Sequence, residues 1–381
     1  MSQIPIFDPT RDYKKNKKAY DKAYSDIMLS GMFINGPQVK EFETQLRKFT
    51  KAKYCLGVAS GTDALLIALM ALDVVAGDEV LTVPFTWIST AEVVCLLGAT
   101  PTFCDIDPGT YNMSPVSLAK MLTPKTKVVM PVSLFGQMYD VDGVEKVVRA
   151  YEKKVGHKIY IIEDAAQSFG ALDTKNRMSG NVGDISCTSF FPTKPLGGFG
   201  DGGACFTNDK DLDHKMRAIR GHGCITRYKY ERVGVNGRLD TLQAALLQVK
   251  IKDLNRSLNQ REKNARLYDK ELVNTPFVLP ERAKYTKRHV YAQYTIRLKT
   301  GKQRDILKTY MKKRCIGTGI FYPVCLHLVE CLTKNRRYKV GSLPVSEDLA
   351  TRVLSIPVYA ELTASEQKYI IDTLQNFTLS K

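Results

Sequence analysis

The chain has 381 residues, 44% of them hydrophobic, and carries 56 Lys and Arg against 39 Asp and Glu for a formal net charge of +17. That length suits two or three domains at roughly 100 to 200 residues each. No run of about 18 uninterrupted apolar residues exists, and the opening MSQIPIFDPTRDYKK holds Asp8 and Asp12 with no apolar stretch, so neither a membrane span nor a secretory leader is expected and a cytoplasmic protein is. The basic excess favours acidic partners. Its lysines and arginines are spread along the chain, however, without a stacking-aromatic RNA motif or a helix-turn-helix pattern, and nucleic acid is not expected as the partner. Nine cysteines, an odd and scattered set without a CxxC pair, argue against a disulfide framework or a metal site.

Over the first 215 or so residues, short β-branched runs alternate with helical periodicities, which predicts an α/β protein with βαβ units around a mostly parallel sheet. Strands are predicted at 54–58, 79–83, 102–105, 127–132, 158–162, 185–189 and 203–207, with helices at 62–72, 90–97 and 141–155 among them. From 239 to about 272 the pattern is long, helical and charged, a bridge out of the large domain. Beyond it lie an apolar stretch at 290–298, a helix at 302–313, a segment at 317–322 and helices at 347–353 and 364–376, which suit a small α+β domain. The expected division is a large ligand-binding domain over 1–250, with its N-terminal segment, and a small C-terminal domain over 251–381.

Four features of this frame could carry chemistry. In ASGTDALLIALMAL, Gly61 and Thr62 open an apolar helix directly after a strand, and their free amides could take a phosphate or belong to an ordinary helix cap. In IIEDAAQSFGA, Asp164 follows an apolar strand where open α/β sheets bind ligands, with Gln167 three residues on; it suits a cationic ring nitrogen, or a solvated loop. In SFFPTKPLGGFGDGGA, Lys194 stands between Pro192 and Pro195 and ahead of five glycines, a surface turn or a stiffened loop that offers an amine to a carbonyl. In TVPFTWISTAE, Trp87, the single tryptophan, is either core packing or a flat plate for a planar ring. A phosphate cradle, an acid for a pyridinium, an aromatic plate and a lysine for an aldehyde are together what pyridoxal 5′-phosphate requires.

With these stretches assembled, the chain resembles the sugar aminotransferases of the DegT/DnrJ/EryC1/StrS family. The likeness runs in order through SGMFINGPQVKEFE, SGTDAL, PFTWISTAE, GATPTFCDID, PVSLFGQMYDVD, IEDAAQSFGA, SFFPTKPLGGFGDGGA, VGVNGRLDTLQAA, FYPVCLH and LPVSEDLATRVLSIPV. It implies the fold type I aminotransferase architecture, with a large domain built on a mostly parallel sheet flanked by helices and a small C-terminal α+β domain. It also implies that Lys194 anchors pyridoxal 5′-phosphate and moves the proton, Asp164 holds the ring nitrogen protonated, Gln167 bonds the ring oxygen O3′ and Trp87 stacks on the ring. Phosphate contacts fall on Gly61, Thr62, Ser189 and Asn236, the last reaching across from a second subunit, so the resemblance implies a homodimer with shared active sites. The implied reaction carries an amino group from L-glutamate to a nucleotide-linked ketosugar.

Two places depart from the commonest family pattern. Many members have His where PVSLFGQ has Ser133, a variant that resembles the branch acting on UDP-linked 2-acetamido-3-keto uronic acids. The usual YPxPLH stands as YPVCLH, with Cys325 for Pro, which leaves the sugar contacts near His327 open. Arg238 is the candidate for a substrate carboxylate, since its planar fork suits one, and His222, Tyr322 and His327 are candidates for the substrate shell. Alternatives are a 4-keto-6-deoxy UDP- or dTDP-sugar aminotransferase, a sugar dehydratase on the same fold, in which the family lysine is replaced by His, and a non-catalytic binding protein. A nucleotide loop is excluded because neither GxGxxG after the first strand nor GxxxxGK[ST] occurs.

Overall fold

The computed structural model describes residues 3–332 and 338–378. Seven strands form one central sheet: β1 (Tyr54–Val58), β2 (Glu79–Thr82), β3 (Thr100–Phe103), β4 (Thr126–Val129), β5 (Tyr160–Asp164), β6 (Ile185–Ser189) and β7 (Gly203–Thr207). Their spatial order is β1-β7-β6-β5-β4-β2-β3. The pairs from β3 across to β6 are parallel, whereas β7 lies antiparallel between β6 and β1. All seven strands stand where the sequence predicts them, with boundaries shifted by a few residues at most.

Both faces of the sheet are covered, and even its polar residues, such as Thr82, Thr102, Ser186 and Thr188, are buried. Alternate residues divide between two cores. Leu81, Val129 and Ile161 face one side, with Phe42 and Leu46 of the helix Pro37–Thr50 and with Phe169. Val80, Val128 and Ile162 face the other, against the helix Gly61–Ala71, which is apolar nearly all round because it is enclosed there. A third core joins Tyr268 and Leu272, strands β8 (Tyr294–Arg297) and β9 (Val353–Ile356), and the helices Gly301–Lys313 and Ala364–Gln375. Ile4 belongs to this C-terminal core through a bridge to Ile316, although the sequence places it with the large domain.

Two expectations are refined. The charged stretch from 239 onward is two helices, Thr241–Ile251 and Leu254–Leu272, broken at Lys252 and Asp253, where the Asp253 carboxylate draws in Lys15 and Arg256. The segment 317–322 is irregular apart from a bridge between Gly319 and Ser355. No helix among the described residues is long and apolar enough to cross a membrane.

The outer edge of β1 is closed by side chains. Gly57 N donates to Glu43 Oε1 at 2.9 Å, while the carbonyls of Cys55 and Gly57 accept from Arg217 at 2.8 Å and Arg220 at 2.9 Å.

Phe169 stacks between Phe49, at 5.3 Å between ring centroids, and Phe206, at 5.9 Å, with 1% of its surface exposed. Phe169→Ala is expected to lower the unfolding free energy by about 3 to 5 kcal/mol, read from urea denaturation of the purified protein.

Candidate active site

The C-terminal ends of the parallel strands, the start of the helix Gly61–Ala71 and the segment Ile320–Pro323 enclose a cavity of about 540 Å³. This is where open α/β sheets place ligands. Gly61, Thr62, Trp87, Asp164, Gln167, Ser189, Lys194 and Tyr322 all line it. Residues separated by more than 250 positions in sequence thus share one space.

Asp164 is fixed at the end of β5. Its N–H donates to Pro131 O at 2.9 Å and its carbonyl accepts from Ser133 N at 3.0 Å. Its carboxylate accepts from Thr90 Oγ1 at 2.9 Å and from Ala166 N at 3.1 Å. Burial raises the Asp164 pKa, and those two donors and the charge of Lys194 oppose the rise. Lys194 is the complement: burial lowers its pKa, and Asp164 opposes the fall. The lysine loop is folded on itself, with Lys194 N bonded to Phe191 O at 2.9 Å and Gly198 N to Phe190 O at 2.7 Å. A Cβ at Gly197 would lie 2.3 Å from Pro192 O, so the loop needs glycine there to turn so tightly.

Gln167 is held at both ends of its amide. Oε1 accepts from Phe135 N and Nε2 donates to Tyr322 Oη, each at 2.9 Å. Tyr322 is therefore a cavity residue, and it also orients Gln167. Trp87 is not core packing: 59% of it is exposed, and its ring lies 6.2 Å from that of Tyr322. At the helix start Ser60 is the cap, accepting from Asp63 N at 2.9 Å, while Thr62 Oγ1 and Ser89 Oγ are 2.8 Å apart. Gly61 touches the end of β6 so closely that a Cβ there would meet Ser189 Cβ at 2.7 Å. Cap and candidate cradle are one structure, and the first amides of the helix open into the cavity.

The remaining candidates lie elsewhere. Asn236 and Arg238 line a separate pocket of about 460 Å³, which adjoins the cavity through Asp201. Arg238 Nε is sealed from water there without an acceptor. His222 is exposed on a turn with φ 64° and lines neither space. His327 lies outside the cavity: its ring is fully buried near those of Phe103 and Tyr338, with Nε2 3.0 Å from Glu347 Oε1. Cys325 is likewise buried.

Ser133, the other departure from the family pattern, does not line the cavity either. It is fully buried behind β5 and donates to Glu163 Oε1 at 2.9 Å. Glu163 also accepts from Ser179 Oγ, Ser186 Oγ and Gly180 N. Neither this arrangement nor the bond from Thr90 to Asp164 is legible from local sequence, because only the fold brings these hydroxyls to their acids.

A mostly parallel seven-stranded sheet with a lysine and an acid at its ligand-binding edge defines a fold type I, pyridoxal-phosphate-dependent transaminase. The chain belongs to the DegT/DnrJ/EryC1/StrS aminotransferase family, whose model matches residues 14–375. It is 41% identical to a UDP-2-acetamido-2-deoxy-3-oxo-D-glucuronate aminotransferase of Pseudomonas aeruginosa over 98% of this chain and all of that one. Among solved structures, DesV of S. venezuelae in complex with a ketimine intermediate is 32% identical, with a TM-score of 0.92 and 98% of each chain covered. A Bacillus subtilis enzyme solved with bound pyridoxamine phosphate is 27% identical, with a TM-score of 0.89 over 98% of this chain and 85% of that one.

Two outcomes follow from this geometry. Gly61→Ala forces the helix away from Ser189 and is expected to cost about 1 to 3 kcal/mol of cofactor binding, roughly tenfold to a hundredfold in a cofactor titration. The lowered pKa of Lys194 has a definite sign. Between its folded value and the ordinary 10.5 the unfolded chain holds a proton that the folded chain lacks, so the stability of the cofactor-free protein rises with pH through that window. Lys194→Met is expected to flatten that rise and to melt higher than the parent at neutral pH, as followed by thermal scans across the alkaline range.

Proposed function

We propose that this enzyme transfers an amino group from L-glutamate to a nucleotide-linked ketosugar, UDP-2-acetamido-3-keto-glucuronate, giving the 3-amino sugar. The observation that carries the chemistry is the meeting of Lys194, Asp164, Gln167 and Trp87 in one cavity beside the amides of Gly61 and Thr62. The likeness to the Pseudomonas aeruginosa enzyme supports the choice of sugar.

The residues present fit pyridoxal 5′-phosphate. The free amides at Gly61 and Thr62, with the Ser189 hydroxyl against them, suit its phosphate; the exposed face of Trp87 suits its ring; and the buried Asp164 suits a protonated ring nitrogen. When bound, the cofactor supplies an aldehyde to receive the amino group and an electron-withdrawing ring. Asp164 would accept the hydrogen bond of the ring nitrogen, and Gln167, oriented by Phe135 N and Tyr322, would donate to the ring oxygen. Lys194 holds the cofactor at rest. With the cofactor bound, its Nζ would be the base that takes the proton from the donor Cα and the acid that returns it two atoms away, across the donor nitrogen, and the reverse transfer would serve the sugar. Burial favours the neutral amine this needs.

Asn236 and Arg238 belong to the same proposal as contributions from a second copy, Asn236 to the phosphate and Arg238 to a carboxylate of the donor or the sugar. Leu29, Met32, Phe33 and Ile34 are exposed, and Ile34 lines the pocket of Asn236 and Arg238, which supports a homodimer with shared sites. The nine free cysteines suit a cytoplasmic enzyme. The helix break at Lys252 and Asp253 supports a division near residue 250.

Half-reactions of the pyridoxamine form with 3-keto and 4-keto UDP-, dTDP- and GDP-sugars test the substrate. Only the 3-keto UDP-uronate is expected to restore the aldehyde absorbance, and restoration by a 4-keto compound alone overturns the choice of sugar. Lys194→Ala is expected to bind cofactor non-covalently and to lose more than about a thousandfold in turnover. Borohydride reduction and peptide mapping of the parent protein should mark position 194.

A further inference from the structure

Beyond the pocket of Asn236 and Arg238 lies a groove of about 1180 Å³, and Arg238 lines both. Asp201 in turn lines both that pocket and the cofactor cavity. The three spaces are therefore consecutive, sharing Ile34 and Arg238 at one join and Asp201 at the other.

The groove is strongly cationic. Lys40, Arg47, Arg217, Arg220, Arg227 and Arg238 line it, and Glu43 is its sole acid among the described residues. Glu43 is already committed: it pairs with Arg217 at 3.3 Å and Arg220 at 2.9 Å and accepts from Gly57 N. Those two arginines are in turn spent on β1 carbonyls. Lys40, Arg47 and Arg227 are exposed, and no ion pair engages them among the described residues. Arg227 lies over the ring of Tyr228 at 4.9 Å, on an exposed hairpin that also carries Tyr230. Three cations without an ion-pair partner among the described residues, beside the Arg238 guanidinium whose Nε lacks an acceptor, form a surface that suits an anion.

We propose that this groove receives the diphosphate of the nucleotide-linked substrate, with Lys40, Arg47 and Arg227 as its ligands and Arg238 at the junction with the sugar. The assignment rests on the nucleotide-sugar reading above. Arginine forks match phosphate oxygens in pairs, and Lys40 adds a point charge. Charge and number point to the class of ligand: a single sugar carboxylate would engage Arg238, whereas a diphosphate brings the further negative charges that suit Lys40, Arg47 and Arg227. In a dimer whose second copy lends Asn236 and Arg238, the groove accompanies them and lies beside the neighbouring cavity.

The test uses UDP with the full-length pyridoxamine-form enzyme, in equilibrium binding at several salt concentrations. Arg47→Glu/Arg227→Glu is expected to weaken UDP binding at least tenfold, to flatten its salt dependence, and to raise KM for the UDP-sugar while kcat is kept. Arg47→Lys/Arg227→Lys should keep the salt dependence of the parent, because the charge remains, and should weaken UDP binding less than the Glu variant does, by the loss of the paired bonds alone. The cofactor absorbance and the dimer mass control for a damaged fold. Binding of UDP by the Glu variant as tightly as by the parent overturns the groove, even if the parent aminates a UDP-sugar. Loss of UDP binding in the Glu variant supports the groove, even if no UDP-linked ketosugar reacts, in which case the substrate reading alone falls.

Discussion

The site depends on placing an acid and an amine together out of water. Desolvation alone would neutralise both, and each charge moderates that tendency in the other. Asp164 is further restrained by Thr90 and Ala166, so it stays a hydrogen-bond acceptor at the edge of the sheet. Lys194 has no such restraint beyond the attraction of Asp164, and its amine is left free to give up a proton. The two environments are unequal: Asp164 has two hydrogen-bond donors that oppose the effect of its burial, whereas only the charge of Asp164 opposes it at Lys194.

The scaffold serves that placement. Asp164 is pinned by backbone bonds to Pro131 and Ser133 on the neighbouring strand, and its sequence neighbour Glu163 points to the opposite face into a ring of donors. Strand alternation thus gives two adjacent acids opposite duties, one in the cavity and one as an internal clamp. Ser133 belongs to the clamp, so its substitution for the common family histidine acts on the support of the site and makes no contact with the space that a sugar would occupy.

Much of this was legible in the sequence, for definite reasons. The seven strands announce themselves as short β-branched runs between helical periodicities, and Lys194 is conspicuous because prolines and glycines on either side leave its loop few conformations. Long-range pairings were not legible. Thr90 gives no sign of its bond to an acid 74 residues away, and His327 gives none of its enclosure beside Glu347. Lys40, Arg47, Arg227 and Arg238 each read as solvated charges, and only their convergence on one groove distinguishes them.

The covered margin of β1 bears on how copies of this protein can meet. A bare outer strand offers N–H and C=O groups to any passing chain and invites sheets to merge. Here Glu43, Arg217 and Arg220 take the hydrogen bonds that an eighth strand would have made. Growth of the sheet into a neighbouring molecule is thereby blocked on this side.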